Sequence, residues 1–218
     1  MPFVKPVSVG PALVALGDQL LDVARCSHCS IANPNLVKVW ASAGVAPHTN
    51  GDPSRHWGAY SCSSCGNVIS VRARLVNNSF AIEELFPEPK AAHNDLPELA
   101  RKFLQQAFET LHAPDAAAVM AGSAVDAMLK HLGYKDGSLY ARIDKALEDN
   151  VLTQAMANWA HEVRLGSNRP RHADDQKPNV SEEEAKQSVE FAEALGHFLF
   201  VLTARIKRGI EAAKAAEG

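Results

Sequence analysis

Four cysteines stand in two C-x2-C pairs, Cys26-Ser27-His28-Cys29 and Cys62-Ser63-Ser64-Cys65, and the chain has no others. Two residues between thiolates let one tight turn present both sulfurs to one ion. Two such turns brought together make a tetrahedral four-thiolate site with metal–sulfur bonds near about 2.3 Å. Gly66, directly after the second pair, suits the positive φ that such turns demand. The pairs are 32 residues apart, more than the roughly 15–20 of a compact ribbon. A stretch rich in turn residues, from Ala43 to Trp57 with Gly44, Pro47, Asn50-Gly51 and Asp52-Pro53, accounts for much of the excess and is read as loop. The expected cofactor is structural Zn2+ on Cys26, Cys29, Cys62 and Cys65; unrelated buried or redox thiols are the alternative. Four thiolates close the coordination sphere, which leaves no position for water or substrate. His28, His48 and His56 are therefore read as non-ligands.

Composition narrows the rest. The 218 residues are 46% apolar and 22% charged, with a net charge of −3, which excludes a wholly disordered chain and a polycationic one. No apolar run approaches the roughly 18 residues of a membrane span. The first residues, Met1-Pro2-Phe3-Val4-Lys5-Pro6, lack an apolar signal-peptide core, so the chain is read as cytoplasmic. Composition shifts near residue 90. Residues 1–90 hold all the cysteines, with seven basic and six acidic residues. Residues 91–218 hold 15 basic and 19 acidic residues and are rich in Ala, Leu, Glu and Lys. The joint is placed at Phe86-Pro87-Glu88-Pro89-Lys90, where two prolines interrupt any regular element.

Before the joint, Leu36–Trp40 and Val68–Leu75 alternate as strands. Residues 9–25 fit a helix or a strand leading into Cys26. After the joint, apolar spacing predicts five helices. Asp95 caps the first, whose stripe includes Leu96, Leu99, Ala100, Phe103 and Leu104. The second runs from Pro114 to about Leu132 and stops at Gly133. Ser138 caps the third. Thr153 caps the fourth, which ends at Gly166 and gives way to a polar loop reaching Val180. Ser181-Glu182-Glu183-Glu184 is a capping box for a last helix whose inner face holds Leu195, Leu199, Leu202, Ile206 and Ile210. The expected class is mainly α: a helical bundle over 91–218 behind a small β zinc ribbon over 1–90.

The segment from Arg164 to His172 gathers Arg164, Arg169 and Arg171 around Asn168 and His172. Arginine and histidine held together can bind a phosphodiester, and neutral imidazole can take a proton from a ribose hydroxyl. The bland reading is a helix end: a cation suits the dipole there, and Gly166 and Asn168 suit a turn.

The stretch from Leu96 to about Gly209 resembles the family called domain of unknown function 4145, a helical group related to HEPN domains. The residues that carry this are Leu96-Pro97-Glu98-Leu99-Ala100-Arg101, Ala116-Ala117-Ala118 leading to Ala124-Val125-Asp126-Ala127-Met128-Leu129, Leu139-Tyr140-Ala141-Arg142-Ile143, and Arg164-x3-Asn168-x3-His172. The resemblance implies a HEPN-like bundle that pairs as a homodimer. By position it makes Arg164 a phosphate-binding cation, His172 a general base and Asn168 the residue that orients the segment; Arg169 and Arg171, from the basic segment itself, are read as further nucleic-acid or phosphate contacts. Seven residues separate Arg164 from His172, against four to six in the ribonucleases of the group. The first expectation is therefore a binding module that recruits RNA or a protein partner, and the second a metal-independent ribonuclease.

Overall fold

A computed structural model describes residues 16–20, 22–42, 55–76, 79–172 and 179–216. The chain divides into two compact units, Met1–Pro89 and Lys90–Gly218.

The first unit is a five-stranded antiparallel sheet in the order β1-β2-β3-β4-β5: β1 (Gln19–Leu20), β2 (Leu36–Ala41), β3 (Arg55–Cys62), β4 (Val68–Val76) and β5 (Ser79–Phe86). Alternation decides which face is buried. Leu36, Tyr60, Cys62, Ile69 and Val71 form a core with Leu20, Val23 and Cys26 from the preceding chain. The ambiguous segment before Cys26 thus enters as the short strand β1; its part before residue 16 lies outside the described residues, as does His48.

Two features overturn the expectation of a mainly α chain with a small ribbon. Arg55, His56 and Trp57 begin β3 rather than end a loop. β5 was hidden because adjacent Glu83 and Glu84 break a simple alternation. The pairing shifts between Arg72 and Ala73, with Arg72 opposite Glu84 and Ala73 opposite Ile82, so Glu83 occupies a bulge. There it meets Arg55 (2.6 Å), Arg74 (3.4 Å) and Arg72 (3.7 Å). His56 packs its ring on Phe80 at 4.4 Å. Among the described residues 52% are helix and 19% strand, so a sheet unit and a helical unit share the chain.

The helical unit comprises α1 (Glu98–Glu109), α2 (Pro114–His131), α3 (Leu139–Glu148), α4 (Gln154–His172), α5 (Glu182–Gly196), a π-helical turn over His197–Leu202, and α6 (Thr203–Ala216). α2 is the spine, packed against α1, α3, α4 and α5. Its buried positions are mostly small, including Ala117, Ala118, Ala121, Gly122 and Ala124, so neighbouring backbones come close. A Cβ on Gly122 would lie 2.6 Å from the Ser167 hydroxyl of α4. Around the spine, Leu104, Phe108, Met128, Ile143, Val189, Phe191 and Leu195 complete the core.

Local signals set several boundaries. Gly133, at φ 104°, ends α2, and Tyr134 N–H reaches back to the Leu129 carbonyl at 3.1 Å. Ser138 accepts from Ala141 N–H at 3.3 Å, and Thr153 from Met156 N–H at 3.3 Å. Ser181 and Glu184 form a reciprocal capping box, with Glu184 also receiving Arg169 at 2.7 Å. The Ser181 backbone N–H and then the Arg169 guanidinium hold the Glu184 carboxyl below its usual range. A depressed acid stabilises the fold above its unfolded pKa, and this contribution disappears as pH falls through the lower folded value. Ser181→Ala should cost the helical unit about 1 kcal/mol in urea unfolding at neutral pH. Glu184→Gln should flatten the loss of stability on acidification below about pH 4.3.

Three expectations need correction. α1 begins after Pro97 rather than at Asp95; the Asp95 carboxylate instead takes both arms of Arg208 (2.9 and 2.7 Å). α4 does not end at Gly166. It runs to His172, because Gly166 and Ser167 are buried at the crossings with α5 and α2 and serve packing rather than a turn. Finally, Leu202, Ile206 and Ile210 are exposed rather than inward. A π turn takes up extra residues, so positions beyond it rotate away from the face that the 3.6 repeat assigns them.

Candidate metal centre and cationic groove

The two cysteine pairs form matching knuckles. In each, the residue after the second cysteine has positive φ (Ser30 60°, Gly66 72°) and donates its N–H to the carbonyl of the first, Ser30 to Cys26 at 2.9 Å and Gly66 to Cys62 at 2.8 Å. The second knuckle is tied to the residue before β2 by Ser63 N–H on the Asn35 carbonyl at 3.0 Å. All four sulfurs lie within 4.8 Å of one another, and those of Cys26 and Cys65 are 3.9 Å apart. Metal–sulfur bonds of about 2.3 Å in a tetrahedron require sulfur–sulfur edges near about 3.8 Å. The arrangement thus has the size of a tetrahedral site, while its sulfurs are too far apart for disulfides. The donor set is also compatible with a metal ion. Burial pushes the Cys26 thiol up and the Cys29 thiol up to about 12. Burial acts on Cys62 as well, but N–H groups of Cys65 and Ser64 bring it down to about 7. Four thiolates this close repel unless a metal ion binds them. His28 is not part of the cluster; its Nε2 meets the Val68 carbonyl at 3.0 Å.

The cations around this sheet are engaged. Lys38 pairs with Asp18, Arg25 donates to the Ser30 carbonyl, and Arg55, Arg72 and Arg74 surround Glu83.

In the helical unit, α4 carries the Arg–Asn–His segment as helix, so Arg164, Asn168 and His172 fall at i, i+4 and i+8 on one face. Arg164 and Asn168 line a groove of about 520 Å³. The Arg164 guanidinium lies 5.2 Å from the Tyr140 ring centre. Among the described residues it has no carboxylate partner, and its Nε is buried without an acceptor. Arg169 is not brought to the groove and is paired with Glu184. Arg171 and His172 close α4, and their side chains lie outside the described residues, as do Asp174 and Asp175.

Sequence reasoning missed the groove's other cations. Arg142 of α3 and Lys130 of α2 both line it and both bind Asp126, at 2.7 and 2.6 Å. The i, i+4 pair of Asp126 and Lys130 reads as an exposed helix pair when α2 is seen alone. A signal was present in Arg142: a cation in the first turns of a helix opposes the dipole, so something else must hold it. That is Asp126, with the Gly137 carbonyl at 2.6 Å. A second unforeseen pair is His161 of α4 with Asp144 of α3 at 3.0 Å, against the Tyr140 ring at 4.7 Å.

Among the described residues no helix is long and apolar enough to cross a membrane. Searches of curated proteins and of solved structures found no match. The helical unit, from within α1 to within α6, matches the family described as a domain of unknown function (DUF4145) over residues 105–212.

Proposed function

We propose that the chain is a zinc-stabilised, HEPN-like binding module directed at RNA, with the α4 face of Arg164 and Asn168 as its phosphate contact. Arg164 carries this reading: among the described residues it is a cation without a carboxylate partner, held beside a groove, whose buried Nε lacks an acceptor. Zinc suits the cysteine cluster because a closed set of four thiolates matches its tetrahedral preference. That site holds the sheet unit together and does no chemistry. Binding of a labelled mixed RNA pool should weaken with salt. Arg164→Ala should weaken it by about 10-fold or more, the scale of one charge-assisted hydrogen bond. Equal affinity for the variant and the parent across salt concentrations would sink the reading.

The alternative is a metal-independent ribonuclease with His172 as general base. The shared face of Arg164, Asn168 and His172 favours it. Yet eight residues of helix span about 12 Å, a long reach for an arginine and a base that must act on one phosphate. RNA products ending in 2′,3′-cyclic phosphate, lost in His172→Ala, would establish the enzyme.

The homodimer belongs to the same proposal. Phe198, Leu202, Ile206 and Ile210 form an exposed i, i+4 ladder along the π turn and α6, and apolar ladders of this kind mark interaction surfaces. A second copy brings an identical ladder. Ile206→Lys should convert a dimer to a monomer in light scattering, and an unchanged mass would exclude this surface.

A further inference from the structure

The outer face of the sheet carries aromatic rings where a solvated face would carry polar side chains. Strand pairing sets its rows. One row runs through Trp40, Ala59, Ser70 and Phe86, across β2, β3, β4 and β5. The next places Trp57 beside Arg72 and Glu84. Trp40, Trp57 and Phe86 are all exposed, Trp40 to 56%. The core takes the opposite face, with Tyr60, Ile69 and Val71, so packing within the sheet unit does not explain the rings. Trp57 and Phe86 have ring centres 5.8 Å apart, inclined by 32°. Trp40 is the diagonal neighbour of Trp57, within reach of so large a side chain. Ala59 and Ser70 are small, so the floor between the outer two rings is shallow. Beyond the rings, Arg55, Arg72 and Arg74 share Glu83 and Glu84, three cations to two carboxylates. Among the described residues Arg74, half exposed, meets Glu83 through Nε alone, and a guanidinium has four further N–H donors.

We infer that this face binds a single-stranded nucleic acid, its bases stacked on Trp40, Trp57 and Phe86 and its phosphates toward Arg74. Exposed apolar groups gathered on one face mark a binding surface. Here they are rings, and every base offers a π face to a ring whatever its identity. The row from Trp40 to Phe86 crosses three strand spacings, about 14 Å, which is room for a short run of bases rather than one. The surplus of positive charge beside the rings suits a polyanion. A duplex keeps its bases stacked on each other, so only an unpaired strand can use the rings. The inference goes beyond the reading of α4 and uses none of the residues named there. DNA and RNA strands share this chemistry.

The test is fluorescence of the full chain carrying Trp159→Phe, which leaves Trp40 and Trp57 as its only tryptophans. A single-stranded RNA of twelve nucleotides should quench their emission, and the same strand annealed to its complement should quench far less. In anisotropy titrations of the labelled strand, Trp40→Leu and Phe86→Leu should each weaken binding about 5-fold or more, the scale of one lost stack. Trp40→Phe should lose less than Trp40→Leu, because phenylalanine supplies a stacking face and leucine only apolar area. Both positions are exposed, so the sheet keeps its fold, and an unchanged thermal midpoint verifies this. A DNA strand of the same sequence separates the sources: equal quenching assigns the face to either strand, and weaker quenching assigns it to RNA. Equal losses in Trp40→Leu and Trp40→Phe overturn stacking and mark the face as an apolar surface for a protein. Absence of quenching, with affinity unchanged in both leucine variants, overturns the inference; if Arg164→Ala still weakens RNA binding, the reading of α4 survives. No binding of any strand overturns both.

Discussion

If the four cysteines hold a metal ion as proposed, a chelator, or replacement of Cys62 with serine, should unfold the sheet unit and leave the helical unit folded. The size of the effect follows from what else holds the sheet. Among the described residues its buried core has eight members, and two of them, Cys26 and Cys62, are themselves knuckle cysteines. Structural zinc in small domains contributes about 10–16 kcal/mol of apparent binding free energy at neutral pH, comparable to the whole stability of an ordinary domain, about 5–15 kcal/mol. A serine oxygen is a poor substitute for thiolate, and three remaining sulfurs cannot close the tetrahedron. Hydrogen exchange on the full chain separates the units. Amides of β2, β3 and β4 should lose protection on chelation, while those of α2 and α5 keep it. Retained protection in β3 after native mass spectrometry confirms metal loss would show that the sheet does not depend on an ion.

Phe191→Ala should cost the helical unit about 3–5 kcal/mol, the range for removing a buried aromatic ring. Phe191 is 2% exposed on α5 and lies against Trp159 of α4, ring centres 4.9 Å apart. It belongs to the same buried cluster as Val189, Ala192 and Leu195 of its own helix, and helix backbones cannot close in to refill the space, so a cavity persists. The denaturant midpoint should drop sharply with the slope unchanged. A loss below about 1 kcal/mol would mean that the α4–α5 contact is looser than its geometry.

The parts of this structure legible in the sequence are those fixed within a few residues. The knuckles follow from C-x2-C spacing and from the turn that Gly66 permits. The starts of α3 and α5 follow from Ser138 and Ser181, whose side chains reach their own helix. What escaped reading depends on partners far along the chain. Gly166 has the look of a helix terminator, but it lies buried inside α4 beside Ser188 of α5, and Ser167 next to it packs on Gly122 of α2. β5 is obscured because Glu83 serves arginines on β3 and β4 instead of keeping the beat of its own strand. Leu99 and Ile206 satisfy a helical repeat yet lie exposed, since periodicity says which residues share a face and not what covers it. The groove was invisible for the same reason: Asp126, Arg142 and Arg164 come from three different helices.

Gly122 and Ser167 meet where α2 crosses α4, and both also line the groove. A side chain added at position 122 therefore wedges two helices apart and intrudes on the groove in the same stroke. The architecture offers no way to retune one without disturbing the other. In a library of variants, position 122 should tolerate as little as a residue that touches ligand, although glycine has no side chain with which to touch one. Change in the lining of the groove that spares the helix crossing has to proceed through its rim, at Leu99 and Lys130.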